Sequence, residues 1–278
     1  MILDLLNLSQ TGNDQFEHCQ PFDYGHTLYG GQLVSQALRA AYHSVSEGFR
    51  VHSLHSYFMR PGFANAPLQF RVTRMRDGRA FCQRQVEILQ NGKVIYHQIS
   101  SFKQPIIGPE HQRPIPKPLP DPLQYPDEVE LLKASGLEMR KGMENWFNLP
   151  LETRLPDPQP FDKPIPMSEK NPAWIRYVGE SEGLTPVLQD CLFAFMSDYY
   201  LLDSSIRVHG LNWWVSQIDG TSLDHAIWFH RPIDCTDWLF FDQVSPTANA
   251  GTCFNRGEIF NQAGSLLASI AQEGLLRD

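Results

Sequence analysis

Two stretches of this sequence carry apolar residues at the spacing of a helix that is buried along one broad stripe. The first predicted helix runs from about Gln32 to Ser44, with apolar residues at Leu33, Val34, Ala37, Leu38 and Ala41. The second runs from about Val187 to Tyr200, with apolar residues at Val187, Leu188, Cys191, Leu192, Phe195, Met196 and Tyr199. This i, i+1, i+4, i+5, i+8 pattern predicts helices packed on a core. Thr185 and Pro186 suit the N-cap and first turn of the second helix.

Segments of alternating or mostly apolar character follow each helix and predict strands. In the first half they are Val51–Met59, Leu68–Arg74, Ala80–Leu89 and Val94–Phe102. In the second half they are Trp174–Val178, Leu211–Gln217, His225–Phe229, Trp238–Val244, Thr252–Phe260 and Leu266–Leu275. Predicted turns lie at Asp77-Gly78, Asn91-Gly92, Asp219-Gly220 and Ala263-Gly264. Each half is therefore predicted to be α+β, with one long helix covered by a curved antiparallel sheet.

The two halves share a motif as well as an element order. The strand after the first helix ends in Phe58-Met59-Arg60-Pro61, and the strand after the second ends in Phe229-His230-Arg231-Pro232. Any two α+β domains share such elements, but the recurrence of Aromatic-x-Arg-Pro in the same order favours a duplication. We therefore expect an N-terminal lobe at 1–105 and a C-terminal lobe at 167–278, with an insertion in the second lobe at Leu201–Leu211.

A proline-rich segment separates the two predicted lobes. Residues 105–166 hold 14 of the 21 prolines, and proline both fixes φ and removes a hydrogen-bond donor. The composition of Glu128 to Trp146 predicts one helix within this segment. Residues 106–166 are thus predicted to be a linker that crosses from one lobe to the other.

Composition and charge restrict the class of protein. Hydrophobic residues make up 42% and charged residues 19%, which is typical of a soluble globular chain. The formal net charge of −8 argues against a nucleic-acid binder. No apolar run reaches the roughly 18 residues of a membrane span, and the N-terminus lacks the basic region of a secretory signal. The five cysteines have no metal-binding or paired spacing, so we expect free thiols in the cytoplasm.

Several familiar catalytic and binding motifs are absent from the sequence. It has no Gly-x-Ser-x-Gly, no phosphate-binding loop and no Gly-x-Gly-x-x-Gly. His52 and His55 are three apart in a predicted strand and are expected on opposite faces, as are His225 and His230. We therefore predict neither a metal site nor a cofactor.

Three polar residues of the second half lie at positions where a polar side chain requires a physical explanation. Asp198 lies near the C-terminal end of the predicted helix, where a negative charge opposes the helix dipole by roughly 0.3–1 kcal/mol. Gln272 falls on the apolar face of the last strand, and Ser222 opens the strand that leads to Arg231-Pro232. As alternatives, Asp198 is a solvated acid at the helix end, Gln272 is a structural amide with satisfied hydrogen bonds, and Ser222 is a simple turn residue. By the internal repeat the three correspond to Ser44, Ser100 and Val51, so the first half has neither the carboxylate nor the amide.

The sequence resembles the type II acyl-CoA thioesterases, a family with a double-hotdog fold. The resemblance covers nearly the whole chain, and the motifs that carry it are Tyr29-Gly30-Gly31-Gln32, the two Arg-Pro strands, Arg76-Asp77-Gly78, Ser197-Asp198, Leu223-Asp224-His225, Arg256-Gly257-Glu258 and Gln272-Glu273-Gly274. It implies a catalytic set of Asp, Ser or Thr, and Gln, which falls on Asp198, Ser222 and Gln272, with Thr221 as an alternative to Ser222.

The resemblance also implies a reaction, hydrolysis of a fatty acyl-CoA thioester to free acid and CoA. Asp198 is expected to act as general base, or to attack directly and form an anhydride. The Gly30-Gly31 helix start is expected to stabilise the oxyanion, and His52 and His55 either line the substrate path or are ordinary strand residues. A homo-oligomer (dimer or tetramer) is expected. A catalytically silent acyl-CoA-binding protein and, more remotely, a hydratase are the alternatives.

Overall fold

The computed structural model describes residues 2–24, 27–115, 118–138 and 144–277, the side chain of Glu144 excepted. Its helices are α1 (Ile2–Leu5), α2 (Gly30–Tyr42), α3 (Glu128–Ser135), α4 (Glu144–Phe147), α5 (Pro186–Met196) and α6 (Asp203–Ile206), and 3-10 turns lie at Pro122–Gln124 and Arg207–His209. Its strands in the first half are β1 (Ser9–Gly12), β2 (Gln15–His18), β3 (Arg50–Phe58), β4 (Leu68–Asp77), β5 (Phe81–Gln90) and β6 (Lys93–Lys103). The remaining strands are β7 (Leu151–Arg154), β8 (Ala173–Tyr177), β9 (Asp219–Ser222), β10 (Asp224–Phe229), β11 (Leu239–Asn249), β12 (Thr252–Asn261) and β13 (Leu266–Arg277).

The strands form one antiparallel sheet in the order β1-β2-β4-β5-β6-β3-β10-β13-β12-β11-β8-β7, and β9 pairs with β13. The two halves of this order mirror each other, because β4-β5-β6-β3 in the first half corresponds to β11-β12-β13-β10 in the second. They join where β3 pairs with β10, with Leu54 opposite Ile227. The duplication predicted from the sequence is therefore visible in the strand order.

The two long helices, α2 and α5, pack against each other and against one face of the sheet. Nearly all of α2 is buried, and α5 is buried from Asp190 to Met196. Thr185 caps α5, its hydroxyl accepting a hydrogen bond from the backbone N–H of Leu188, and Pro186 occupies the first turn. Both helices end a few residues before the predicted limits, so Asp198 lies just beyond α5 and not within it.

One predicted strand of the second half is wrong. Leu211–Gln217 forms turns, because the Asn212 carboxamide oxygen accepts the backbone N–H groups of Trp214 and Val215, each at 3.0 Å. Such an Asx arrangement satisfies the backbone locally and competes with strand pairing. The predicted turn at Asp219-Gly220 is instead the start of strand β9.

The proline-rich segment contacts the second half of the sheet. Gln112 donates to the carbonyl of Gly264, and Arg113 forms an ion pair with Glu258. The single helix predicted over Glu128 to Trp146 is wrong in its extent. Helix α3 ends at Ser135 and is followed by the C-cap residue Gly136, which adopts the left-handed conformation, and α4 is a separate short helix. Residues 139–143 of that prediction lie outside the described residues.

No helix in the described part of the chain is long and apolar enough to cross a membrane. Four of the five cysteines are buried, Cys19 is exposed, and all five are free thiols.

Candidate active site

The structure brings Asp198, Ser222 and Gln272 together at the C-terminal end of α5. The Gln272 side-chain nitrogen Nε2 donates to Asp198 Oδ1 at 2.5 Å. The Ser222 hydroxyl donates to the same oxygen at 3.5 Å, the outer limit of a hydrogen bond. Ser222 lies opposite Gly274 in the β9–β13 ladder, which places it beside Gln272, whereas Thr221 is exposed. The three residues predicted from distant parts of the sequence therefore form one cluster.

The first half of the chain completes this cluster with the start of helix α2. The backbone N–H of Gly31 donates to the Asp198 carboxylate. A side chain at Gly30 would place its Cβ only 2.6 Å from Asp198 Oδ2, so glycine is required for the helix to approach the carboxylate. The Tyr29 hydroxyl donates to the Phe195 carbonyl at 3.0 Å and ties the two helix ends together. The carboxylate thus lies at the positive end of the α2 dipole.

Burial controls the charge state of the cluster. The Asp198 side chain is 6% exposed, and this desolvation raises its pKa to about 7, although hydrogen bonds from Gln272, Gly31 and Ser222 act in the opposite direction. A carboxylate with a pKa near neutrality is suited to accept a proton at physiological pH. The Gln272 carboxamide oxygen Oε1 is buried and finds no hydrogen-bond partner among the described residues.

Two further polar residues, His225 and Ser197, lie against this cluster and were not predicted as site residues. The fully buried ring of His225 approaches Gln272 Nε2 with its Nδ1 at 3.2 Å and the Ser197 hydroxyl with its Nε2 at 2.9 Å. Desolvation lowers the pKa of His225 to about 3, so the ring is neutral. The only signal for His225 in the sequence is its position in β10, where the alternation of a strand places its side chain on the buried face.

The equivalent place in the first half holds different chemistry. Ser44 and Ser100 correspond to Asp198 and Gln272, and the buried Arg84 lies opposite Ser100 in the β5–β6 ladder and contacts Ser44. Arg84 Nε donates to the Ser44 hydroxyl at 2.8 Å, and its Nη2 donates to Asp77 Oδ1 at 2.5 Å. The described residues therefore contain the Asp–Ser–Gln cluster in the second half only.

The structure does not bring His52 and His55 to this cluster. His55 is exposed and packs edge-on against Trp228, at 5.1 Å between ring centroids, on the outer face of the sheet. His52 Nε2 lies 2.8 Å from the Ser101 hydroxyl on the same face, because a bulge between Val51 and Ser53 shifts the register. The prediction of opposite faces is therefore wrong for this pair, and neither ring contacts the Asp198 cluster. In the part of the chain that the structure describes, no group of three or more His, Cys, Asp or Glu residues could hold a metal ion.

Comparison with known proteins finds a match in each half of the chain. Residues 161–275 match a family model described as acyl-CoA thioesterase, and residues 19–102 match one described as acyl-CoA thioesterase N-terminal domain. Human acyl-coenzyme A thioesterase 8 is 33% identical over an alignment that covers 100% of this chain and 89% of that protein.

Solved structures extend the likeness to the fold. The acyl-CoA thioesterase II TesB2 of Mycobacterium marinum superposes with a TM-score of 0.80 at 32% identity, covering 100% of this chain and 98% of the other. A protein with a hot dog fold from Alicyclobacillus acidocaldarius superposes with a TM-score of 0.78 at 19% identity, with coverage of 100% and 98%. The predicted α+β double-hotdog fold is confirmed.

Proposed function

This chain belongs to the type II acyl-CoA thioesterase family, and on that premise we propose that it hydrolyses fatty acyl-CoA thioesters with a water molecule activated by Asp198, Ser222 and Gln272. Acyl-CoA thioester hydrolysis follows from family membership; the assignment of the three residues is our proposal. The single observation that supports the assignment is the convergence of the Ser222 hydroxyl and the Gln272 amide on one oxygen of a buried carboxylate.

The chemistry needs a nucleophile, a proton acceptor and stabilisation of the oxyanion. In this proposal Asp198 takes a proton from water, and the resulting hydroxide attacks the thioester carbonyl carbon. The tetrahedral intermediate collapses, the C–S bond breaks, and the proton passes from Asp198 to the CoA sulfur. The products are the free acid and CoA, and Asp198 returns to its ionised form.

Each of the other groups has a distinct task. Gln272 Oε1 has no partner within the described residues, and it accepts the second hydrogen of the water. Ser222 orients the same water from the β9 side. The N–H of Gly31 is engaged by Asp198, so Gly31 does not serve as a free oxyanion donor. The N–H of Gln32 donates to the Tyr29 carbonyl at 3.1 Å, so oxyanion stabilisation is assigned to the N–H of Gly30 at the start of α2.

Replacement of the base tests the proposal directly. Asp198→Asn keeps the size of the side chain and removes the proton acceptor, so we expect kcat to fall by two or more orders of magnitude. CoA release from palmitoyl-CoA is measured with a thiol reagent. Turnover of a folded Asp198→Asn enzyme near the wild-type rate would remove Asp198 from this role.

The same assay separates the alternatives. A catalytically silent binding protein would bind palmitoyl-CoA without thiol release, and a hydratase would convert an enoyl-CoA without thiol release. A single turnover in ¹⁸O-labelled water separates general-base catalysis from the anhydride route, because hydrolysis of an anhydride at the enzyme carbonyl leaves label in Asp198.

We further propose that the protein is a cytoplasmic homo-oligomer. The outer face of the sheet carries exposed apolar side chains at the junction of the halves, among them Tyr57 and Trp228, and such surface is commonly covered by a partner. Sedimentation velocity tests the assembly, and cell fractionation tests the location.

A further inference from the structure

The buried imidazole of His225 has no part in the mechanism described above, although it touches one of its members. It is fully buried and lies on strand β10, where β3 and β10 join the halves of the sheet. The Ser56 hydroxyl of β3 donates to the backbone carbonyl of His225 at 2.9 Å and fixes the strand beneath the ring. His230, which follows the last residue of β10, lies on the outer face with its Nε2 2.9 Å from the Ser269 hydroxyl.

The partners of His225 determine which ring nitrogen carries the proton. The Ser197 hydroxyl donates its only hydrogen to the Ala194 carbonyl at 2.9 Å, so toward the ring it acts as an acceptor. His225 Nε2, 2.9 Å from this hydroxyl, is therefore the N–H donor. In a neutral ring Nδ1 then has a free lone pair, and it accepts from Gln272 Nε2 at 3.2 Å.

Both hydrogens of the Gln272 amide are consequently directed at acceptors, one at Asp198 Oδ1 and the other at His225 Nδ1. A carboxamide turned by 180° would place its oxygen against both acceptors, and both hydrogen bonds would become repulsive contacts. The observed orientation is the one that leaves Oε1 without a hydrogen-bond partner in the described part of the chain.

The two acceptors differ during catalysis. Asp198 becomes protonated when it takes the proton from water, and in that state Oδ1 no longer requires a donor. His225 stays neutral throughout because its environment opposes protonation, so only its Nδ1 holds the amide in place at every stage.

We propose that His225 is a positioning residue, which holds the Gln272 carboxamide with Nε2 toward Asp198 and Oε1 toward the attacking water, while Ser197 fixes the tautomer of His225. This inference rests on the proposed function. It adds a chain of contacts, Ser197–His225–Gln272–Asp198, that joins helix α5 to strands β10 and β13.

Substitutions that keep or remove a single ring nitrogen test the proposal. In His225→Asn the side-chain oxygen takes the place of Nδ1, so an acceptor for Gln272 remains. His225→Gln keeps a polar group near Ser197 but has none at the Nδ1 position, and His225→Leu removes both. We expect kcat to fall at least tenfold in the Gln and Leu variants and less than fivefold in the Asn variant, with KM changed less than threefold in all. His230→Gln, on the outer face, is the control and should keep wild-type kcat.

The pH profile supplies a readout that a packing role would not move. The groups that act on Asp198 are Gln272, Gly31, Ser222 and the buried carboxyl of Asp203. The Gln272 hydrogen bond lowers the pKa of Asp198, so a loosened amide lets that pKa rise. The acidic limb of kcat/KM, near pH 7 in the wild type, should move to higher pH in His225→Gln and stay in place in His225→Asn.

Histidine ¹⁵N NMR of the wild-type protein tests the tautomer without activity. We expect the His225 signals, identified by their loss in His225→Asn, to show a protonated Nε2 and an unprotonated Nδ1 from pH 5 to pH 9. A protonated Nδ1 would overturn the proposal, because that nitrogen could not accept from Gln272.

The kinetic outcomes separate this inference from the function on which it rests. A wild-type protein that releases no CoA would contradict the proposed function. An active wild type with an inactive Asp198→Asn and a fully active, folded His225→Gln would contradict the role of His225 alone. Equal losses in the Asn and Gln variants would also overturn it, since packing would then explain both. If His225→Leu does not fold, the comparison of Asn with Gln still decides.

Discussion

Opposing effects act on the Asp198 carboxyl. Burial favours its neutral form, whereas donors from Gly31, Ser222 and Gln272 favour the ionised form, and the balance leaves a pKa of about 7. A fully solvated carboxylate would be a much weaker base at neutral pH, and a buried one without these donors would have a still higher pKa. The surroundings thus give Asp198 a basicity that an exposed carboxylate lacks.

This shift predicts a pH-dependent cost to stability. The pKa of Asp198 rises from 3.8 in the unfolded chain to about 7 in the folded protein, so the folded state holds a proton that the unfolded state has lost. The contribution of the protonated Asp198 carboxyl to the free energy of unfolding is complete below pH 3.8. It falls as the pH rises to 7, by about 4 kcal/mol at most. We expect the Tm of the wild type to drop more between pH 4.5 and 7.5 than that of Asp198→Asn. Parallel Tm curves for the two proteins would rule out this linkage.

A methyl group at Gly30 should impair catalysis by displacing the carboxylate. In Gly30→Ala the new Cβ would lie 2.6 Å from Asp198 Oδ2 and 3.0 Å from the Phe58 ring. Because one of these groups must move, we expect kcat to fall at least tenfold. Gly108→Ala, where nothing lies within 4 Å of the added carbon, is the matched control and should retain full activity. Unchanged kcat in folded Gly30→Ala would show that the approach of α2 is not needed.

At the element scale, the sequence predicted the features that have strong local signals. Periodicity found α2 and α5. Three of the four predicted glycine-containing turns lie at hairpins, including Asn91-Gly92, where both residues have positive φ, whereas Asp219-Gly220 begins strand β9. The strands β1, β2 and β7, each of four residues, were missed because so short a segment shows no clear alternation. Leu211–Gln217 was mistaken for a strand because the competing Asn212 side-chain bonds depend on the fold around them.

The sequence predicted some residues of the candidate site and not others. Asp198, Ser222 and Gln272 followed from the internal repeat and the family resemblance. His225 and Ser197 did not, because a neutral buried histidine has no signature beyond its parity in the strand. The sequence also did not predict the bulge that moves His52 to the outer face, because the position of an extra residue in a strand cannot be recognised from the alternating pattern.

The start of α5 is held by a buried polar cluster that should matter for stability. Asp190 accepts from the Tyr42 hydroxyl at 2.5 Å and from Arg50 Nη2 at 2.6 Å, and its side chain is 5% exposed. Asp190→Ala leaves both donors without their acceptor, and we expect the free energy of unfolding to fall by about 2–4 kcal/mol, reduced from the fully buried case because Arg50 reaches solvent. Denaturant unfolding measures this.

The surface pair Arg71–Glu87 supplies the control for that measurement. Arg71 Nη1 lies 3.2 Å from Glu87 Oε2, and the Arg71 side chain is 56% exposed. Glu87→Ala should therefore lower the free energy of unfolding by less than about 1 kcal/mol. Equal losses in the Asp190 and Glu87 variants would contradict the role we give to the buried cluster.

At the scale of the whole molecule, the mirrored sheet places two related positions in one chain, and among the described residues only the second holds the proposed Asp–Ser–Gln set. Arg84 fills the counterpart in the first half, bonded to Ser44 and Asp77. The Arg84 side chain is 1% exposed and makes several hydrogen bonds, so it is not readily displaced from this position.

This arrangement predicts one productive site per chain. Titration of Asp198→Asn with palmitoyl-CoA in a calorimeter should give a stoichiometry of one per chain, because the inactive variant leaves the ligand intact. Separate titrations with CoA and with palmitate identify the contribution of each part. Two equivalent binding events per chain would show that the first half also binds acyl-CoA.

The hydrogen bond from Gly31 to Asp198 crosses between the halves of the duplicated chain, and it constrains how the two copies can diverge. The first copy has serine at the positions of the carboxylate and the amide, yet it supplies the helix start that contacts Asp198 in the second copy. Among descendants of such a duplication, selection should tolerate drift at Ser44 and Ser100 and reject it at Gly30 and Gly31. In the proposed mechanism, neither copy of this chain holds a complete site by itself.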